Sequence, residues 1–183
     1  MAEYYLISQL PSLDGLSENT PVPISEERFA DLCGSLLGPK TLGELKKLTL
    51  VPSKEPDPAG SSLVRAWNEG ERQLRFALGK ARADKMGKAF DLPNEVLPVE
   101  ACKAANAAAE IENPLEAENF LLQYRLRFLE TLRPMEPFSE EFLFYYALKL
   151  KLILRIRRFD SAVGAATYKN IYNSVLNGDR VEA

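Results

Sequence analysis

The sequence predicts a mainly α-helical fold, a multi-helix bundle with at most one short N-terminal strand or extended segment. The main observation is the stretch from Ser139 to Asp160, which reads SEEFLFYYALKLKLILRIRRFD. At about 100° per residue its apolar side chains cover most of a helix circumference, and only Lys151, Arg155 and Arg158 form a consistently polar strip. A second observation is that proline- and glycine-containing segments separate the other apolar runs of helical spacing. We expect this helix to be the central one, packed on several sides.

The ends and the length of the central helix agree with that interpretation. Ser139 can accept hydrogen bonds from the free N–H groups of the first turn, and Glu140 and Glu141 put negative charge where the helix dipole favours it. The uninterrupted apolar run, Phe142 to Leu148, is far shorter than the ~20 residues that a bilayer requires. We therefore expect no direct membrane span.

The N-terminal third predicts two helices between loops. The segment from Tyr4 to Ile7 is aromatic and apolar, which predicts a short strand or an extended segment laid across the helices. Ser25 is placed to cap a helix that ends at Gly38-Pro39. Thr41 and Glu44 form a capping-box pattern, which predicts that a short helix begins there.

The remaining chain predicts four helices around and beyond the central one. A long helix opens at Ser62 and runs to about Lys85. Gly70 and Gly79 inside it each cost about 1 kcal/mol relative to alanine, so they either weaken the helix or mark close helix–helix approach. The others are an alanine-rich helix over Glu100 to Glu112, a helix that begins at Leu115 and ends before Pro134, and a last helix capped by Asp160.

Length and composition predict one folded unit. A chain of 183 residues can build one good core or two small ones, so we expect a single helical domain over 1–183, with 1–90 and 91–183 as candidate sub-bundles. Apolar residues make up 46 % of the chain, which is typical of a folding sequence. The net charge of −3 argues against a general nucleic-acid binder.

The residue types present exclude several kinds of catalytic site. The chain has no histidine, which removes the commonest general base and metal ligand, and with it every Ser-His or Cys-His nucleophile. Cys33 and Cys102 are isolated, so there is no zinc or redox CxxC motif, and Cys33 is expected to be a core thiol. We predict no catalytic, cofactor or metal residues. The N-terminus has no signal-peptide pattern, which indicates the cytoplasm.

Three basic runs, at 75–88, 125–133 and 149–158, are candidates for binding, and the third is the most concentrated. It covers 149–158, with five basic residues and no acid. Within it Lys151, Arg155 and Arg158 recur at spacings of four and three, so they project from one side of the helix. Our hypothesis is that this basic strip contacts an acidic surface of a partner. The alternative is a solvated strip that keeps the protein soluble.

Several short stretches carry a resemblance. They are YYL at 4–6, LP at 10–11, WNEGERQLR at 67–75, ARA at 81–83, NPLEAE at 113–118, PFS at 137–139, YYALKLK at 145–151, RFD at 158–160 and Gly164. Together they resemble a small bacterial family associated with V-type ATPase operons. The helical pattern is also similar to the C subunit of V-type and A-type ATPases, which is called the d subunit in the eukaryotic enzyme.

The resemblance implies a non-catalytic helical subunit or accessory protein of a rotary V-type ATPase. Such a protein binds the central stalk or links it to the membrane ring, and so takes part in ion or proton transport. It is expected in the cytoplasm, attached peripherally to the inner membrane through the complex. It brings no cofactor and no catalytic residues. Two other functions remain open from the residues: a small all-α enzyme with carboxylate or metal-assisted chemistry, and a stand-alone cytoplasmic adaptor.

Overall fold

The computed structural model describes residues 2–16, 21–52, 60–91, 97–158 and 161–176. Over these residues it contains eight helices and no strand, which confirms the predicted mainly α-helical bundle. No helix of this described part is both long enough and apolar enough to cross a membrane. The helices are α1 (Ala2–Gln9), α2 (Glu26–Leu36), α3 (Pro39–Lys47), α4 (Ser62–Lys85), α5 (Val99–Glu110), α6 (Pro114–Thr131), α7 (Glu140–Arg158) and α8 (Ser161–Leu176).

Helix α7 is the central helix that the sequence predicts. Every residue from Leu143 to Leu150 is buried, which is more than one side of a helix can account for. The hydroxyl of Ser139 accepts a hydrogen bond from the N–H of Phe142 at 3.3 Å, so the predicted cap is present. Neighbours therefore cover α7 around its whole circumference over 143–150.

The N-terminal segment differs from the expected strand or extended segment, since it forms helix α1. Leu6 and Ile7 are both buried, whereas Tyr4 and Tyr5 are more than half exposed. Two adjacent buried residues fit a helix that lays one side on α2, and they do not fit the strict alternation of a strand. The helix ends just before Pro11, whose ring disfavours helical backbone at the preceding residue.

One predicted helix start lies close to, but not at, the expected residue. Helix α3 begins at Pro39 with Gly38 as its N-cap and no side-chain cap bond, so the predicted capping box of Thr41 and Glu44 is wrong. Proline is favoured at the first helical position because it has no N–H to satisfy, and this moves the N-cap from Thr41 to Gly38, three residues earlier. Helix α4, by contrast, begins at Ser62 and ends at Lys85 as predicted, and the hydroxyl of Ser61 before it accepts from the N–H of Val64.

The buried apolar residues form two clusters. The larger one joins α1, α2, α3 and α7 to the beginning of α4 and the end of α6. The smaller one joins Leu74 and Leu78 of α4 to the alanines of α5 and to Leu121 of α6. Because α4 and α6 contribute to both clusters, they connect the two. The division into sub-bundles at residue 90 stays a prediction.

Both glycines inside α4 lie under an aromatic ring. A Cβ atom at Gly70 would be 2.3 Å from ring carbons of Phe128 in α6, and one at Gly79 would be 2.5 Å from the ring of Phe90. These distances confirm close approach as the reason for the glycines. For Gly79 the approaching group belongs to the segment after α4 and not to another helix.

Candidate partner-binding face

The basic strip of Lys151, Arg155 and Arg158 lies on α7, and its first residue is bonded within the chain. The ammonium of Lys151 donates to the carboxylate of Glu26, the first residue of α2. The side chain of Lys151 is 26 % exposed and that of Glu26 is 44 % exposed. Lys151 therefore ties the middle of α7 to the start of α2, and it presents only part of its charge to solvent.

Arg155 is also paired within the chain. Its Nε and Nη2 atoms donate to one carboxylate oxygen of Glu118 in α6, at 3.1 and 2.9 Å. Arg158 is exposed, and it lines a shallow cleft together with Arg157 and the first residues of α2. No local pattern indicates the pairs of Lys151 and Arg155, because Glu26 and Glu118 lie 125 and 37 residues away in the chain.

A buried carboxylate extends this pairing into the bundle. Glu71 in α4 is 2 % exposed. Arg125 of α6 donates to both of its oxygens, at 2.8 and 2.9 Å, and Arg75 donates to one of them at 3.0 Å. Burial of a carboxylate costs several kcal/mol unless charged donors compensate it, and a two-pronged arginine contact is the strongest such compensation.

The pairs join into one arginine–glutamate ladder. The guanidinium of Arg125 lies 3.8 Å from Glu118, which is the residue that binds Arg155. The ladder therefore runs across α4, α6 and α7. Its members, in order, are Arg75, Glu71, Arg125, Glu118 and Arg155.

Glu71 is a site residue that sequence reasoning missed, although a signal was present. Trp67, Leu74 and Leu78 are buried on the same side of α4. Glu71 follows Trp67 by four residues and precedes Leu74 by three, so it falls on that apolar stripe. An acidic residue within a buried stripe indicates a partnered charge, because an unpaired one would be too costly.

Lys149 is buried like Glu71, although the sequence pattern put it in an exposed basic run. Its ammonium donates to Asp14, to Glu130 at 2.6 Å and to the hydroxyl of Tyr145 at 3.2 Å. Burial opposes its charge, but these hydrogen bonds outweigh burial and raise the pKa of Lys149 above its usual value. The hydrogen bond from Lys149 likewise lowers the pKa of the Asp14 carboxyl. Lys149 thereby fixes the segment after α1 against α7.

The acidic pair at the start of α7 binds other helices. Glu141 accepts from the backbone N–H groups of Ser62 and Leu63 at 3.1 and 3.2 Å, and from the hydroxyl of Ser61. Burial opposes its charge, but these hydrogen bonds outweigh it and lower the pKa of Glu141. Glu140 accepts from the hydroxyl of Thr41. These contacts agree with the interpretation of the pair as helix-terminal charge. Glu141 lies at the N-terminus of α4 as well as at that of α7.

Basic residues of the other two runs are placed in three ways. Arg75 and Arg125 belong to the ladder, and Lys80, Arg82 and Lys88 are exposed around the end of α4. Arg133 lies 3.7 Å from Asp14, and Lys85 donates to the carbonyl of Ala109 at 2.8 Å. Within the described ranges, no three His, Cys, Asp or Glu side chains come close enough to hold a metal ion. Most charges around the basic strip therefore link helices to one another. Exposed cations lie at the end of α7.

Comparison with known proteins gives no further relationship. No protein-family model, curated protein or solved structure matches the chain. The resemblance to the V-type ATPase-associated family therefore rests on the short stretches named above.

Proposed function

We propose that the chain is a non-catalytic helical subunit or accessory protein of a rotary V-type ATPase, similar to its C subunit, that binds the stalk or links it to the membrane ring. One observation supports this more than any other. The stretches that carry the resemblance also supply side chains that hold α4, α6 and α7 together. Glu71 and Arg75 come from WNEGERQLR, and Glu118 comes from NPLEAE.

The ladder suits a protein that must keep its shape under a sideways force. Arginine presents a rigid planar fork, so a two-pronged bond to a carboxylate resists both sliding and rotation of the helices that it joins. The bond between Arg125 and Glu71 has this form and is almost fully removed from water. A protein that connects a rotating stalk to another part of the machine needs stiffness of this kind.

The proposal is tested by purification of the ATPase from native membranes that contain an affinity-tagged copy of the chain. At low ionic strength we expect the stalk subunits to accompany the tag in defined ratio. Raised salt should release them, because exposed charge contacts are screened beyond about 10 Å at 0.1 M salt. A tag that never accompanies the stalk subunits at low salt would refute the proposal, and recovery of unrelated proteins instead would favour the stand-alone adaptor.

A charge exchange separates the basic strip from the fold. Lys151→Glu alone would oppose two carboxylates across α7 and α2. Lys151→Glu combined with Glu26→Lys preserves that ion pair but removes the positive charge from the strip. We expect the exchanged variant to unfold at nearly the wild-type temperature and to recover less of the stalk at low salt. If the exchanged variant recovers as much of the stalk as the wild type does, the basic strip contributes to the fold and not to binding.

A further inference from the structure

An apolar pocket opens between α2, α3 and α7, beside the basic strip. Its volume is about 140 Å³. The wall is made by Phe29, Cys33, Leu42, Leu45, Ala147 and Leu150. Dry apolar cavities of about this size accept a group as large as a benzene ring. Ala30 and Lys46 also line the pocket and are exposed, so its rim reaches the surface of the protein.

The rim of the pocket has an excess of positive charge. Lys46, Lys151 and Glu26 lie along it. Glu26 is bonded to Lys151, so the positive charge of Lys46 is left over. Lys46 forms no ion pair within the described part of the chain. Arg155 and Arg158 follow Lys151 on the same side of α7, beyond the lining of the pocket. An apolar opening next to an excess of cations is complementary to an apolar group that has carboxylates beside it.

We infer that this pocket receives one apolar side chain, of the size of leucine, methionine or phenylalanine, from a protein partner whose neighbouring residues are acidic. The apolar side chain would supply most of the affinity, as buried anchors do in other interfaces. The carboxylates would meet Lys46 and the basic strip and would fix the orientation. The inference rests on the proposed function only in that the partner is taken to be a component of the ATPase.

The chemistry of the pocket can be tested without the partner, because Cys33 in its wall is a built-in reporter. Burial raises the pKa of the Cys33 thiol to about 11, so a thiol reagent will modify it slowly and occupation of the pocket will slow it further. The test uses a Cys102→Ser background, which leaves one thiol. The probes are N-acetyl-L-phenylalanine and the matching amide, which has the same ring but no carboxylate.

We expect N-acetyl-L-phenylalanine to slow modification of Cys33 about threefold at a concentration twice its Kd. The amide should be clearly weaker, and Lys46→Glu should remove this difference. Ala30→Phe adds bulk at the exposed rim and should abolish protection, whereas Ser35→Phe adds the same bulk elsewhere on the exposed side of α2 and should not. Equal protection by both probes, or protection that survives Ala30→Phe, would overturn the inference.

The same two variants separate the inference from the proposed function in native membranes. Loss of the stalk subunits with Ala30→Phe, but not with Ser35→Phe, supports the pocket as the anchor site. If both variants recover the stalk, the pocket inference fails and the proposed function stands. If even the wild-type chain recovers no stalk, the proposed function fails, and the probe result still decides the chemistry of the pocket. A wild-type dimer that Ala30→Phe converts to monomer would place a second copy of the chain in the pocket and overturn the inference.

Discussion

Removal of Arg125 should destabilise the protein far more than removal of an exposed charge. The substitution Arg125→Met deletes two of the three N–H donors that reach Glu71, at 2.8 and 2.9 Å, and leaves only Arg75 at 3.0 Å. Breaking a buried ion pair costs about 3–5 kcal/mol, because the remaining charge is stranded away from water. Since Arg75 remains, we expect a loss of about 3 kcal/mol in the free energy of unfolding, at the lower end of that range.

The double variant Glu71→Leu with Arg125→Met is the decisive comparison. It removes both charges from the interior, and replacement of a buried pair by apolar groups is often neutral or stabilising. Glu71→Leu alone leaves Arg125 within 3.8 Å of Glu118, so it should cost less than the loss of Arg125, about 1–3 kcal/mol. The free energy of unfolding of the double variant should lie within about 1 kcal/mol of wild type. Its loss should therefore be much smaller than the sum of the two single losses.

The assay is equilibrium unfolding in urea, followed by tryptophan fluorescence. Trp67 is the only tryptophan and is fully buried one turn before Glu71, so its emission reports the region in question. A loss of about 3 kcal/mol corresponds to roughly 6–12 °C in Tm for a chain of this size. Lys103→Met serves as the control, because Lys103 and its partner Glu100 are 70 and 76 % exposed and such pairs contribute at most about 1 kcal/mol.

Two outcomes would refute this reasoning. If Arg125→Met and the double variant unfold at the same urea concentration, Glu71 is not stranded by the loss of its partner. If Arg125→Met costs no more than Lys103→Met, the ladder makes no special contribution to stability. Addition of 1 M salt should change the Lys103→Met result more than the Arg125→Met result, because salt screens exposed pairs and hardly reaches buried ones.

Two further predictions concern the backbone of α4 and the segment after α1. Gly70→Ala should destabilise the protein by about 1–3 kcal/mol, because the added methyl group would meet the Phe128 ring. Gly34→Ala on α2 should instead stabilise it by about 0.5–1 kcal/mol, because nothing lies near that position. Thermal unfolding of the two variants measures the contrast. The folded-state pKa of Asp14 is lowered by Lys149, so its contribution to stability is present above the ordinary Asp pKa and is lost as pH falls through the lowered value. Asp14→Asn should therefore reduce the difference between unfolding free energies at pH 7 and pH 2–3, and an unchanged difference would contradict that assignment.

The central helix could be predicted because its signal is local. Apolar residues on nearly every side of 140–158, a serine before it and charges suited to each end all lie within one short stretch of sequence. The glycines of α4 left two interpretations open, and the rings of Phe128 and Phe90 decide for close approach. A short N-terminal segment gives no comparable signal, since YYLI favours a strand by composition, and contact with α2 decides for helix.

The site was less predictable than the fold because it consists of distant pairs. The strip of Lys151, Arg155 and Arg158 was found by spacing alone, which shows the shared side of a helix but not what lies opposite it. Glu26 and Glu118 come from other helices, and no local pattern connects them to the strip. Glu71 could have been found, since it interrupts an apolar stripe, whereas the identity of Arg125 as its partner required the packing of α4 on α6.

The smaller apolar cluster is built largely from alanines, and this has a consequence for how the protein opens. Ala101, Ala104, Ala105 and Ala108 of α5 are buried against α4, but a methyl group removes little area from water. Helix α5 is thus held by close backbone approach more than by large side chains, while α7 is surrounded by leucines and aromatic rings. Amide hydrogens of α5 should accordingly exchange with solvent through partial opening, well before those of α7, which should exchange only when the whole chain unfolds.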